Sequence, residues 1–138
     1  LVSNPTSFES MFEDILRLGN LSERTVNAEH LVGQLRLRLQ QVQAKQRSNT
    51  AVFYEVWHDP ILTAGGPSFL SDLIQQAGGR NIFAGINIET PHVNVESVIR
   101  ARPELLVIPL EKRHSTDRSH FWAQWRGMKK MMFCVKEL

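Results

Sequence analysis

The sequence offers almost nothing to cross-link. Its 138 residues hold one cysteine, Cys134, which excludes an intramolecular disulfide and leaves the redox compartment open. Set among Met131, Met132, Phe133 and Val135, that thiol reads as a small buried apolar residue rather than a nucleophile. There is no C-x-x-C and no H-E-x-x-H, and the histidines (His30, His58, His92, His114, His120) show no zinc-site spacing. A phosphate-cradling G-x-x-x-x-G-K-[ST] loop is absent as well. No apolar run approaches the ~18 residues of a membrane span. Charge of one sign is scarce: a net +2 is too little to argue for nucleic acid as a partner. The basic residues from Arg36 to Arg47 read as a solvated helix face, and Lys129-Lys130 is the other local concentration. Internal repeats and low-complexity tracts are missing. So are an initiator Met and a signal peptide: the chain opens Leu1-Val-Ser-Asn-Pro and reads as a piece of a longer one.

What is present suits a globular domain with one sizeable core: 42% hydrophobic and 22% charged residues. Thr6 with Glu9 fits a capping box, and Phe8, Phe12, Ile15 and Leu16 follow at helical spacing until Gly19-Asn20 supplies a stop. The pattern predicts a helix over Ser7 to Leu18. Ser22 caps a longer one, over Glu23 to Gln46, with Ala28, Leu31, Val32, Leu35, Leu39 and Val42 as its apolar stripe. At ~1.5 Å per residue it spans roughly 36 Å, long for a small domain. A strand over Ala51 to Val56 follows, rich in β-branched and aromatic residues. Ser68 caps a helix that uses Phe69, Leu70, Leu73, Ile74 and Ala77 for its core. A short strand is expected at Asn81 to Phe83 and a short helix at Val95 to Ala101, capped by Asn94. Leu105 to Ile108 reads as a fully buried strand ended by Pro109. A last helix is expected over Asp117 to Met128, with Phe121, Trp122, Trp125 and Met128 as its core face. Strands alternating with helices predict an α/β layer with a parallel sheet. In such sheets ligands sit beyond the carboxyl ends of the strands, where Trp57, His58 and Asp59 fall.

These elements carry a resemblance. The segment VFYEVWHDPILTAGG, then GGRNIF, then Pro91-His-Val-Asn-Val-Glu-Ser-Val98 and Ala101-Arg-Pro-Glu-Leu-Leu-Val-Ile108 occur in one order. Together they resemble the C-terminal half of the periplasmic substrate-binding proteins that carry vitamin B12, iron-siderophores or haem to ABC importers. The cobalamin-binding branch looks nearest. The resemblance implies two α/β lobes joined by a rigid helix, with the ligand held between them. Residues 1–21 would then be the end of the first lobe, 22–47 the connector helix, and 48–138 the second lobe. Gly127 to Leu138 departs from the further strand, proline-containing loop and last helix expected there, so the second lobe reads as incomplete at its end. The resemblance also implies a periplasmic or membrane-anchored extracytoplasmic location, a cobalamin or iron-chelate cargo rather than a cofactor, and a membrane permease as partner.

Candidate ligand-binding residues are Trp57, His58, Asp59, Pro60, Gly65, Thr90 and Pro91. The Trp57 indole supplies a flat apolar face on which a large ring system loses hydration, although most tryptophans serve in cores. His58 can ligate a metal or simply cap the loop. Gly65-Gly66-Pro67 is most simply a turn into a helix; close approach of its backbone to a ligand is the alternative. Thr90 is small and polar where some relatives of the resembled family carry an aromatic, and His92 reads as a surface histidine. Glu96 matches the glutamate that docks on permease arginines in that family; the plain reading is an acid complementing a helix dipole. An enzyme is disfavoured. Residues 55 and 57 of a strand point one way and 56 and 58 the other, so Glu55 and His58 are expected on opposite faces, and no nucleophile with a partnered base is legible. The remaining rival is an interaction module built on the long helix. Uncovered apolar faces would also allow a homodimer.

Overall fold

The computed structural model describes residues 3–45, 49–110, 121, 122, 124 and 132–136, the last five by backbone alone. Helix α1 runs Phe8–Leu21 and α2 Thr25–Lys45. Strand β1 (Thr50–Trp57), β2 (Leu62–Thr63), α3 (Phe69–Gln76), β3 (Gly79–Asn81), α4 (Val95–Ala101), β4 (Leu105–Leu110) and β5 (Met132–Lys136) follow. The expected α/β class with a mainly parallel sheet flanked by helices is what forms. Strands run in the order β2-β1-β4-β5, and β3 joins β1 on the same edge as β2. All pairings are parallel except β1 with β2.

Helices α1, α3 and α4 have local causes, whereas Ser22, expected to cap the long helix, is instead the C-cap of α1, and α2 begins at Thr25. Ser7, not Thr6, caps α1. Its hydroxyl accepts from the Ser10 amide at 3.1 Å, and the Ser10 hydroxyl accepts in return from the Ser7 amide at 3.0 Å. Glu9, expected in that box, instead reaches across to Arg36 of α2. Gly19 does not stop α1, which continues to Leu21. A Cβ on Gly19 would lie 2.3 Å from the Ala28 Cβ, so glycine lets α1 and α2 cross closely. Ser68 and Asn94 cap α3 and α4 as expected, accepting from the amides of Ser71 and Ser97. The start of α1 is bound to α3: the Phe8 amide donates to Asp72 at 2.7 Å, and the Phe8 and Phe69 rings sit 5.2 Å apart.

Period-2 alternation splits β1 between two faces. Phe53 faces the main core with Leu106 and Ile108 of β4, and with Ile61, Phe83, Val93, Val98 and Trp122. Val52 and Tyr54 lie on the other face, opposite Leu105 and Val107, with Leu73 and Ile74 of α3 and the C-capping Ala77 around the same groove. Burial there raises the Tyr54 phenol above its usual 10.0.

Three further expectations need correction. Pro109 does not end β4, which continues to Leu110. The β1 register stops at Val107 on that side, so Pro109 forfeits no ladder bond to β1, and it pairs with Val135 on the other. Within the terminal stretch, read as departing from the further strand, proline-containing loop and last helix of the resembled family, Met132–Lys136 form the strand β5. The short strand begins at Gly79 and ends at Asn81, because the Asn81 side chain takes the Phe83 amide at 3.0 Å and turns the chain. The expected last helix falls mostly outside the described residues, although Phe121 and Trp122 are helical. Trp125, Met128 and the side chain of Cys134 lie outside them as well.

Candidate functional site

The loops that leave the carboxyl end of β1 and enter α4 meet around one concavity of about 460 Å³. His58, Asp59, Pro60, His92 and Glu96 line it with Phe121. Four backbone bonds fasten the two loops. Thr63 donates to Pro91 at 3.1 Å, Val93 to Ile61 at 3.0 Å, Gly65 to Glu89 at 2.9 Å and Gly66 to Ile86 at 2.9 Å. Leu62 and His92 form an isolated antiparallel bridge. The sequence-level candidates therefore divide. His58, Asp59 and Pro60 line the concavity, and Glu96 stands exposed in the first turn of α4 beside them, with the unselected His92.

The others lie elsewhere. Trp57 ends β1 with 44% of its surface exposed, and its indole nitrogen donates back to the Asp59 carbonyl at 3.0 Å. Thr90 is exposed and Pro91 is buried, its carbonyl engaged by Thr63. Gly65 is buried under the protein's own loop: a Cβ there would come within 1.8 Å of the Ile88 carbonyl oxygen. Its close backbone approach is to residues 86–89 rather than to the concavity. The peptide bond Asp59–Pro60 is cis.

Behind the concavity lies a carboxylate that strand alternation had set apart from His58. Glu55 is 0% exposed in the core face of β1. One oxygen accepts from the Trp122 indole nitrogen at 2.5 Å; the other lies 3.4 Å from His58 Nδ1. Strand alternation had put Glu55 and His58 on opposite faces. The register with β2 shifts between Glu55 and Trp57, and the chain turns immediately after, which returns the imidazole beside the carboxylate. Phe121 meets the imidazole edge-on, with centroids 4.8 Å apart. The signal was present in the sequence: an acid two positions after Phe53 on an apolar strand falls on the buried face. Asn81 was missed. Buried, it donates to the Ala64 carbonyl at 2.9 Å and to Ser71 at 3.1 Å, tying β3 to the loop and α3.

Chemically, the concavity offers two imidazoles, two carboxylates and apolar walls from Ile61, Val93 and Phe121. Among the described residues no cluster of three His, Cys, Asp or Glu is arranged to hold a metal ion. No helix there is long and apolar enough to cross a membrane.

No family model matches the chain. It is 28% identical over 127 residues to the vitamin B12-binding protein of Vibrio campbellii, covering 91% of this chain and 45% of that protein. Among solved structures it is similar to the periplasmic vitamin B12-binding protein of Vibrio cholerae, with a TM-score of 0.79 and 22% identity over 96% of this chain and 54% of the other. A periplasmic solute-binding protein of Staphylococcus epidermidis, described as possibly iron-binding, gives a TM-score of 0.81 at 22% identity, over 96% of this chain and 55% of that one. The chain thus spans about half the length of the curated relatives it matches, at 45% for the Vibrio campbellii protein. In sequence it is similar to vitamin B12-binding proteins over 91% of its length, and in fold it is similar to about half of a periplasmic binding protein.

Proposed function

We propose that the chain is part of the substrate-binding component of an ABC importer, and that its cargo is a corrinoid or, second, an iron chelate such as a siderophore complex or haem. The observation that carries this reading is the concavity at the carboxyl end of β1, where His58, Asp59 and Pro60 meet the entry to α4. Its position follows the rule for open α/β sheets. In this reading the concavity is one wall of the ligand site, and exposed Trp57 adds an apolar ring beside it. Residues 22–47 act as the connector between lobes. Cargo is bound reversibly, without covalent chemistry and without a resident cofactor, outside the cytoplasmic membrane. Glu96 then docks on the permease.

A two-lobed site divides its ligand between its walls, so the titration belongs on the protein carrying both. Cyanocobalamin, haem and a ferric siderophore, each added to that protein and followed by calorimetry and visible absorbance, test the reading. Saturable binding of one of them, weakened by substitution of His58 or Asp59, is the expected result. Saturable binding of none overturns it. The second reading, an interaction module with no small ligand, draws on the exposed Val26, Leu31 and Leu37 of α2. It predicts silence with all three compounds.

A further inference from the structure

We propose that Glu55 is a positioning residue for ligand capture: its buried carboxylate holds the proton of His58 on Nδ1 and turns the Nε2 lone pair toward the concavity. The inference rests on reading that concavity as a ligand wall. The two oxygens of Glu55 face different groups. An indole N–H can only donate, so Trp122 claims Oε2 as an acceptor. The remaining oxygen faces His58 Nδ1 at 3.4 Å. That spacing is an electrostatic contact rather than a formed hydrogen bond, and contacts of this kind commonly tighten when a ligand binds. A carboxylate beside one ring nitrogen selects the tautomer that carries its proton there.

Burial supplies the orientation. His58 Nδ1 is shielded from solvent, yet the side chain keeps 32% exposure and lines the concavity. In this proposal the edge turned to the concavity is the one bearing Nε2. Phe121, edge-on to the imidazole and packed at 5.2 Å against Trp122, blocks rotation of the ring. The carboxylate, indole and imidazole thus form one unit running from the core to the wall. Packing alone would favour an apolar residue at this core position, since a polar side chain is costly to bury. The nitrogen offered to the concavity is an acceptor, and it selects ligands that bring an N–H or O–H to that edge.

The test is a long-range proton–nitrogen correlation spectrum of the full chain labelled on histidine nitrogen, at a pH where the ring is neutral. The wild type is expected to show the His58 proton on Nδ1. In E55Q, Trp122 still needs an acceptor, so the amide oxygen stays on the indole and the NH₂ faces Nδ1. His58 must then move its proton to Nε2, and its two nitrogen signals exchange character while the backbone spectrum remains that of a folded chain. A purely structural Glu55 predicts no such exchange. A wild-type proton on Nε2 overturns the proposal, as does an unchanged tautomer in folded E55Q. Should E55Q fail to fold, the wild-type spectrum decides by itself. No ligand enters the measurement, so its failure is separable from a failed titration of the importer cargo.

Discussion

Tyr54 is the chain's one tyrosine, so a near-ultraviolet difference spectrum against pH follows its ionisation with no second phenol. Burial on the second face of the sheet raises its pKa above 10.0, because the phenolate loses more hydration there than the phenol. The sign for stability follows by linkage. Below the unfolded value neither state ionises and the contribution is fully present. Above it the unfolded chain loses its proton first, so stability falls as pH rises toward the folded value. Denaturant unfolding at a series of alkaline pH values is expected to show this decline. Tyr54→Phe is expected to flatten it, and an equal slope in both proteins would remove Tyr54 as its source. A second residue-scale prediction concerns Glu96, exposed in the first turn of α4 and on the wall of the same concavity as His58. A rim charge governs encounter more than affinity. Under the proposed importer function, Glu96→Ala is therefore expected to lower transport by the assembled importer, with cargo affinity unchanged. Equal loss of both would assign Glu96 to the cargo instead.

At the scale of elements, the same substitution at two glycines is expected to act with opposite sign. In α1, a Cβ on Gly19 would sit 2.3 Å from Ala28 Cβ and 3.3 Å from the Arg24 carbonyl oxygen. Gly19→Ala must push α1 and α2 apart and is expected to cost about 1–3 kcal/mol, the usual range for overpacking. In α2, a Cβ on Gly33 meets nothing within 4 Å. Gly33→Ala keeps the helix and reduces the freedom of the unfolded chain, for a gain of about 0.5–1 kcal/mol. Urea unfolding of both variants checks the pair; a gain at Gly19 would mean that the crossing is loose. Gly19 also marks what the sequence hides. A glycine near a helix end reads as a stop, and only the partner helix reveals a contact. Helices α3 and α4 were legible because cap and apolar period agree, and β1 and β4 because their apolar runs are bounded by turn residues. Strand β5 was not legible: MFCVK is a short apolar run with no period to separate helix from strand, and its register is set by β4. The site was half legible for the same reason. His58, Asp59 and Pro60 follow from strand order, whereas the contact between His58 and Glu55 depends on an irregularity with β2 that lies outside the β1 sequence.

For the whole molecule, the decisive feature is how the apolar surface of α2 is distributed. Ala28, packed against Gly19 of α1, and Val32 are buried. Val26 and Leu37, about three turns apart and so on one line of the helix, lie on the opposite side with 77% and 61% of their surface exposed. Leu18 and Leu21 of α1 are exposed as well. A further concavity of about 350 Å³, walled mainly by Phe8, Met11, Phe12, Leu35, Leu39 and Leu73, opens between α1, α2 and α3. With a net charge of only +2, electrostatic repulsion does little to hold copies apart. The chain studied alone is therefore expected to self-associate as its concentration rises, with sedimentation velocity reporting an increasing mean mass. Sulfate should strengthen an association of apolar faces, whereas a charge-driven one would weaken with added salt. The double variant Val26→Glu, Leu37→Glu changes only exposed positions, so its far-ultraviolet circular dichroism should match the parent while its mass stays that of one chain. A parent that remains monomeric at every concentration would show that these side chains are too scattered to act as one surface.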